Sequence, residues 1–268
     1  MRFIRACSEF FTPNTGNKAL LKYTRNGQGF PLVLQHGYFG GAEMWQSQID
    51  HFKSRFDVIA PNLAGFGDSA DLIAPDSIEE CAQQVFDLLD SLGVDQFYLL
   101  GHSMGGMVVQ QMAAMQNDRV KKLVCYGTGP VGLLPDRFET LDQSRERLAT
   151  DGLEATAKRI AATWFTDGEN AQGFSVCENV GKKATMQAAL ASLTALEKWN
   201  GSSALASISC PTLVLWGDRD RSYGWRQPES LWHGISDSYL AVMPGCAHNA
   251  HLEKPALFNM IVEDFLST

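Results

Sequence analysis

Hydrophobic positions along the chain change rhythm many times, and the changes mark elements. Short apolar runs at 32–35, 57–60, 97–100, 122–126, 212–216 and 239–243 read as buried strands, because each is too short for a helix and is bounded by Gly, Pro or Asn. Between them the period lengthens. Ile78, Cys81, Ala82, Val85, Phe86, Leu88, Leu89 and Leu92 form one apolar stripe at helical spacing. Ser77 and Glu80 have capping-box spacing ahead of it, and Gly93 stops it. Further helices are predicted over 43–52, 226–235 and 255–266. At the N-terminal end, 3–11 and 19–24 read as two strands of a hairpin, with turn residues at 13–17 between them.

Apolar strands alternating with helices predict an α/β fold with a mostly parallel sheet covered on both faces. Functional groups are then expected at the carboxyl ends of the strands. The alternation breaks between about 130 and 205, where only helical stretches stand out, at 137–148, 153–164 and 183–199. This insertion follows a strand end. The expectation is therefore a core of residues 1–129 and 206–268, with 130–205 inserted as a helical lid over the same edge.

A net charge of −8 with no basic run argues against a nucleic-acid partner or an anionic membrane surface. No apolar run approaches membrane-spanning length, and the N-terminus lacks a signal peptide's apolar centre. The six Cys are scattered without a C-x-x-C pair, so a reduced, cytoplasmic protein is expected.

The most informative stretch is 96–109, in which Phe97–Leu100 passes through Gly101-His102-Ser103-Met104-Gly105-Gly106 into a helix-like segment. A Ser at a sharp strand-to-helix turn is a candidate nucleophile, since the turn holds its hydroxyl clear of the backbone. Glycines two before and two after it remove Cβ atoms where strand and helix pack closely. Such a Ser needs a base, usually a His oriented by a carboxylate. Two other strands run into such groups. One enters Gly217-Asp218-Arg219-Asp220, and the other enters Pro244-Gly245-Cys246-Ala247-His248. His251, three residues after His248, raises a metal pair, but the H-E-x-x-H pattern is missing and no metal is expected.

With His36-Gly37 after a strand, these pieces resemble the α/β-hydrolase fold superfamily over nearly the whole chain. The resemblance implies Ser103 as nucleophile, His248 as base and Asp220 rather than Asp218 as the acid. It further implies an oxyanion hole from the backbone amides of Tyr38 and Met104, with His36 shaping that loop. Phe39, His102 and Trp164 are candidate substrate contacts. No cofactor is implied. Within the superfamily the lid and tail are similar to the 3-oxoadipate enol-lactonase and carboxylesterase branch. Hydrolysis of a small carboxylic ester or lactone through an acyl-serine is thus expected. Substrates of that branch carry carboxylates, so one of the insert's cations, Arg137, Arg145, Arg147, Lys158, Arg159, Lys182 or Lys183, should enter the pocket; sequence does not select which. The chain departs from the pattern at Asn62, where the family often has Asp. A meta-cleavage C–C hydrolase and a hydrolase-fold small-molecule sensor are the alternative readings. His102 before the Ser and Tyr38-Phe39-Gly40 in the oxyanion loop weaken the first of these.

Overall fold

The computed structural model describes residues 19–134 and 137–268. The strand expected at 3–11 lies outside them. Seven strands form one sheet in the order β1-β3-β2-β4-β5-β6-β7. They are β1 (Tyr23–Asn26), β2 (Phe30–Gln35), β3 (Phe56–Pro61), β4 (Phe97–His102), β5 (Val120–Tyr126), β6 (Thr212–Gly217) and β7 (Ser238–Met243). Only β1 is antiparallel to its neighbour β3. It starts later than the expected 19–24 because the preceding residues bond to loops. The Lys22 amide donates to Ser69 Oγ at 2.8 Å, and its carbonyl accepts from the Asn62 amide.

The parallel strands are apolar on both sides because both sides are covered. Alternate residues divide the core. Leu32, Leu34, Val58, Leu100, Val124 and Leu215 face α1 (Gln46–Phe52) and α10 (Pro255–Ser267) through Ile49, Phe52, Phe258 and Val262. Val33, Ile59, Leu99, Leu123 and Val214 face α2 (Ile78–Ser91) and α3 (Met104–Met115) through Val85, Phe86, Leu89, Met107 and Val108. Each such side chain contributes roughly 1.5–3 kcal/mol on burial. α3 is buried nearly all round, which is why it carries Met and Val without an amphipathic stripe. Ser77 caps α2 by accepting from the Glu80 amide at 3.2 Å. The reciprocal arm of a capping box is absent there.

Between β5 and β6 lie α4 (Leu141–Thr150), α5 (Leu153–Thr163), α6 (Phe174–Gly181) and α7 (Met186–Lys198). α4 starts at 141 because Thr140 and Gln143 make the full reciprocal capping box. α6 is eight residues long, and its apolar positions Phe174, Cys177 and Val180 are too few to reveal a period from sequence. α8 (Arg226–Gly234) follows β6, and the short α9 (Ala250–Glu253) precedes α10. The helix expected over 43–52 is a 3-10 turn, Ala42–Trp45, that passes into α1. No helix among the described residues is long and apolar enough to cross a membrane.

Candidate active site

β4 lies near the middle of the sheet, and its C-terminal end carries Ser103. Ser103 has φ 59° and ψ −124°, a conformation that L-residues rarely adopt. The strand-to-helix reversal forces it. A Cβ at Gly101 would lie 2.3 Å from the Gly105 carbonyl oxygen, and one at Gly105 would lie 2.3 Å from the His36 carbonyl oxygen. The Ser103 backbone is pinned through its amide to the Tyr126 carbonyl at 3.0 Å and through its carbonyl to Thr128 Oγ1 at 2.7 Å. Its side chain caps nothing.

The turn after β6 brings Asp220 back under the turn after β7. His248 Nδ1 lies 2.8 Å from Asp220 Oδ2, and both side chains are buried. The other carboxylate oxygen accepts from the Ser222 and Tyr223 amides at 2.7 and 3.1 Å. Asp220 is thus an acceptor on every side. This favours the His248 tautomer with its proton on Nδ1 and leaves Nε2 as the acceptor. Asp218 points elsewhere and takes the Gly245 amide at 2.6 Å, tying the two turns together.

Behind His248 lies a buried group of neutral rings. His102 Nε2 and Tyr126 OH both reach the His248 carbonyl, at 3.0 and 2.8 Å. His251 Nδ1 lies 3.1 Å from the same Tyr126 hydroxyl. His36 Nε2 accepts from the Leu63 amide at 2.9 Å while Nδ1 faces the Gly37 carbonyl at 2.8 Å, so this ring ties the glycine loop after β2 to the loop after β3. Asn62 works beside it. Its Oδ1 accepts from the Ala42 amide at 2.9 Å, a task that an amide oxygen performs as well as a carboxylate.

Burial pushes these histidines down: His36 to about 4, His251 to about 3, and His102 well below its ordinary value. An unfolded chain binds their protons near pH 6.5, whereas the folded chain refuses them until lower pH. Stability is therefore fully present above about 6.5 and is lost as pH falls toward 4 and 3. His36 should contribute a loss on the order of 3 kcal/mol and His251 one on the order of 5 kcal/mol. Melting temperatures should fall steeply from pH 7 to pH 5, and a flat profile over that interval would contradict the neutral cluster.

Ser103 and His248 share a small cavity of about 30 Å³, whose walls include Tyr38, Met104, Leu134, Arg137, Phe138, Ile160, Trp164 and Tyr223. Trp164 is the one candidate substrate contact from the sequence that lines it. Phe39 and His102 do not. Phe39, with φ 55°, packs into the core beside the Tyr38 ring, and His102 lies beneath His248. The backbone of Gly37 abuts the nucleophile: a Cβ there would lie 2.8 Å from Ser103 Cβ and 3.1 Å from the Met104 amide nitrogen. Tyr38 and Met104 therefore flank the Ser103 side chain from two loops.

Two donors of this cavity are unmet. Among the described residues, Tyr38 OH and Arg137 Nη1 are buried without a hydrogen-bond partner. The other seven cations of the insert are ion-paired, as with Arg159 to Glu139 at 2.8 Å and Lys158 to Glu169 at 3.0 Å. Arg137 has no ion pair among the described residues. Neither Arg137 nor Tyr223 was singled out by motif. Arg137 stood among seven equivalent cations, and Tyr223 follows Asp220 by three residues without a pattern of its own.

The helices between β5 and β6 are fastened to both loops of the site. The Asn249 amide donates to the Trp164 carbonyl at 2.9 Å, and Arg221 Nη2 donates to the Phe165 carbonyl at 3.1 Å. Glu253 accepts from Thr166 with one oxygen and from the Ala247 amide with the other.

A family model described as alpha/beta hydrolase fold matches residues 31–255. The chain is 29% identical over 260 residues to a putative carbamate hydrolase RutD of Azorhizobium caulinodans, covering 93% of this chain and 96% of that one. It is 28% identical to 2-hydroxy-6-oxo-6-phenylhexa-2,4-dienoate hydrolase of Comamonas testosteroni, covering 92% and 91%. Among solved structures, the enol-lactonase from Burkholderia xenovorans LB400 superposes with a TM-score of 0.84 at 22% identity, over 92% of this chain and 96% of that one.

Proposed function

Because the chain belongs to the alpha/beta hydrolase fold family, we propose that it is a serine hydrolase that cleaves a small carboxylic ester or lactone through an acyl-Ser103 intermediate. The observation that carries this reading is the buried 2.8 Å contact of His248 with Asp220, in a cavity shared with Ser103. Ser103 attacks the acyl carbon, and its proton passes to His248 Nε2. Asp220 holds the ring in the needed tautomer and balances the imidazolium. The amides of Tyr38 and Met104 receive the oxyanion, each worth about 3–4 kcal/mol in the transition state. Collapse expels the alcohol, which takes the proton from His248. Water then repeats the sequence in the same direction and frees Ser103. Residues 130–205 act as the lid. With so small a cavity, entry of a substrate requires movement of side chains contributed by that lid, Arg137, Phe138, Ile160 and Trp164 among them.

The unmet donors, Tyr38 OH and Arg137 Nη1, suit a substrate that carries a carboxylate, and a relative named as a dienoate hydrolase points the same way. A buried guanidinium nitrogen without an acceptor is costly, and an anion from the ligand offsets that cost. Wild type should therefore prefer a monoester of a dicarboxylic acid to its neutral isostere. Arg137→Gln should reduce the ratio of their kcat/KM values by about tenfold or more, the effect of one charge-assisted hydrogen bond. A wild type indifferent to the carboxylate would remove this assignment.

The same relative favours a second reading, cleavage of a C–C bond. A panel of chromogenic esters, a lactone, a carbamate and a ring-cleavage dienoate, each tested with wild type and Ser103→Ala, separates the two. Turnover of the dienoate alone would favour the second. Ligand binding with no turnover of any would favour a sensor.

A further inference from the structure

Tyr223 touches two residues of the proposed triad and shares a cavity wall with the third. Its ring is 4% exposed and lies parallel to the His248 ring, with centroids 5.5 Å apart and planes 14° apart. Its amide donates to Asp220 Oδ1 at 3.1 Å. Tyr223 lines the small cavity beside Ser103. The backbone that carries it is fixed, since Trp216 Nε1 donates to the Tyr223 carbonyl at 2.8 Å. Every other ring against His248 is tilted rather than parallel: His102 at 42° and Trp164 at 48°.

We propose that Tyr223 is a fourth catalytic group, whose ring face stabilises the His248 imidazolium and whose hydroxyl donates to Ser103 Oγ. Both roles grow as the reaction proceeds, which is the condition for catalysis rather than mere binding. When Ser103 transfers its proton to Nε2, positive charge appears under the electron-rich face of the phenol. At the same moment negative charge builds on Oγ, in the cavity that both residues line, and the proposed donation from the Tyr223 O–H strengthens. In deacylation Oγ is the leaving atom, and the same donor meets the same charge. The proton inventory is unchanged. The Ser103 proton goes to His248 and on to the leaving group, and Tyr223 keeps its own. Burial pushes the phenol up to about 12, so it keeps its proton through the neutral range. On the far face of His248, His102 is held neutral, so the imidazolium meets no like charge there.

This inference rests on the acyl-serine reading, and one experiment tells their failures apart. A fluorophosphonate reports the reactivity of the serine without knowledge of the natural substrate, because Oγ displaces fluoride and the proton leaves through His248. Labelling of wild type and none of Ser103→Ala supports the acyl-serine reading; an unlabelled wild type removes it. The labelling rate constant is then compared for Tyr223→Phe, which keeps the ring, and Tyr223→Leu, which keeps only bulk. The expected order is wild type, then Phe about tenfold slower, then Leu about fiftyfold slower. Apparent affinity for the probe should change by less than about twofold. Labelling of wild type with both Tyr223 variants within twofold of its rate constant would overturn the proposal. So would a loss confined to probe affinity, which is what a pocket wall alone would produce. The Phe variant preserves the packing of the ring, so the comparison holds even if the Leu variant folds poorly.

Discussion

Ser103→Ala is expected to lower kcat by about 10⁶-fold while the protein stays folded. The size follows from the dependence of both half-reactions on one atom: without Oγ there is no acyl-enzyme, and the residual rate comes from the oxyanion donors and binding alone. The intact fold follows from what the side chain does in the free protein. Ser103 Oγ caps no helix, and the turn is held by its backbone, through Tyr126 and Thr128. The melting temperature should therefore shift little, by a change on the order of 1 kcal/mol or less, since the contacts that hold the turn are made by its backbone. The decisive measurement is the initial burst with a chromogenic ester, together with the mass of the protein after mixing. Wild type should gain the mass of one acyl group and the variant none. A variant that still shows the burst would place the nucleophile elsewhere.

Asp220→Asn is expected to be the next most damaging single-atom change, with a loss of about 10⁴ in kcat, by analogy with the equivalent change in a serine protease. Here the direction can be argued from contacts. The Ser222 and Tyr223 amides both require an acceptor at Oδ1. An asparagine must therefore keep its oxygen there and turn its NH2 toward His248. Nδ1 then becomes an acceptor, the ring proton moves to Nε2, and His248 can no longer take the Ser103 proton. The packing survives and the tautomer is wrong. Asp218→Asn makes the useful contrast. Its carboxylate accepts from the Gly245 amide, which an amide oxygen can also do, so less than about a tenfold loss is expected there. Parallel kcat measurements on the two variants check this. A larger loss at 218 would show that the acid had been assigned to the wrong residue.

The parts of this molecule legible in the sequence are those with a short-range cause. The apolar runs of β2 to β7 and the stripe of α2 carry their own period. The Gly-x-Ser-x-Gly turn carries its own steric reason, since Gly101 and Gly105 face atoms that leave no room for a Cβ. Ser103, Asp220 and His248 could be named because each follows a readable strand. What could not be read depends on partners distant in the chain. Arg137 differs from the other cations of the insert in having no counter-ion among the described residues, which is a property of the fold. Phe39 and His102 flank motif residues, yet their side chains turn into the core or beneath the site, and adjacency in sequence says nothing about direction. Tyr223 acquires its place because the loop after β6 folds it back over His248.

Among the described residues only Phe39 and Ser103 are non-glycine residues with positive φ, and they stand in the two loops that flank the proposed reaction centre. Conformations of this kind cost on the order of 1–3 kcal/mol each. A domain of ordinary stability has about 5–15 kcal/mol in hand. The reactive geometry is thus a standing load on the fold, carried by the sheet core behind it. Release from the demand for activity would let Ser103 drift to glycine and the molecule become more robust, whereas the ring of Phe39 is held in place by the core it fills. Selection for robustness alone would erode the site first, and a core weakened by mutation would surrender chemistry before it surrendered shape.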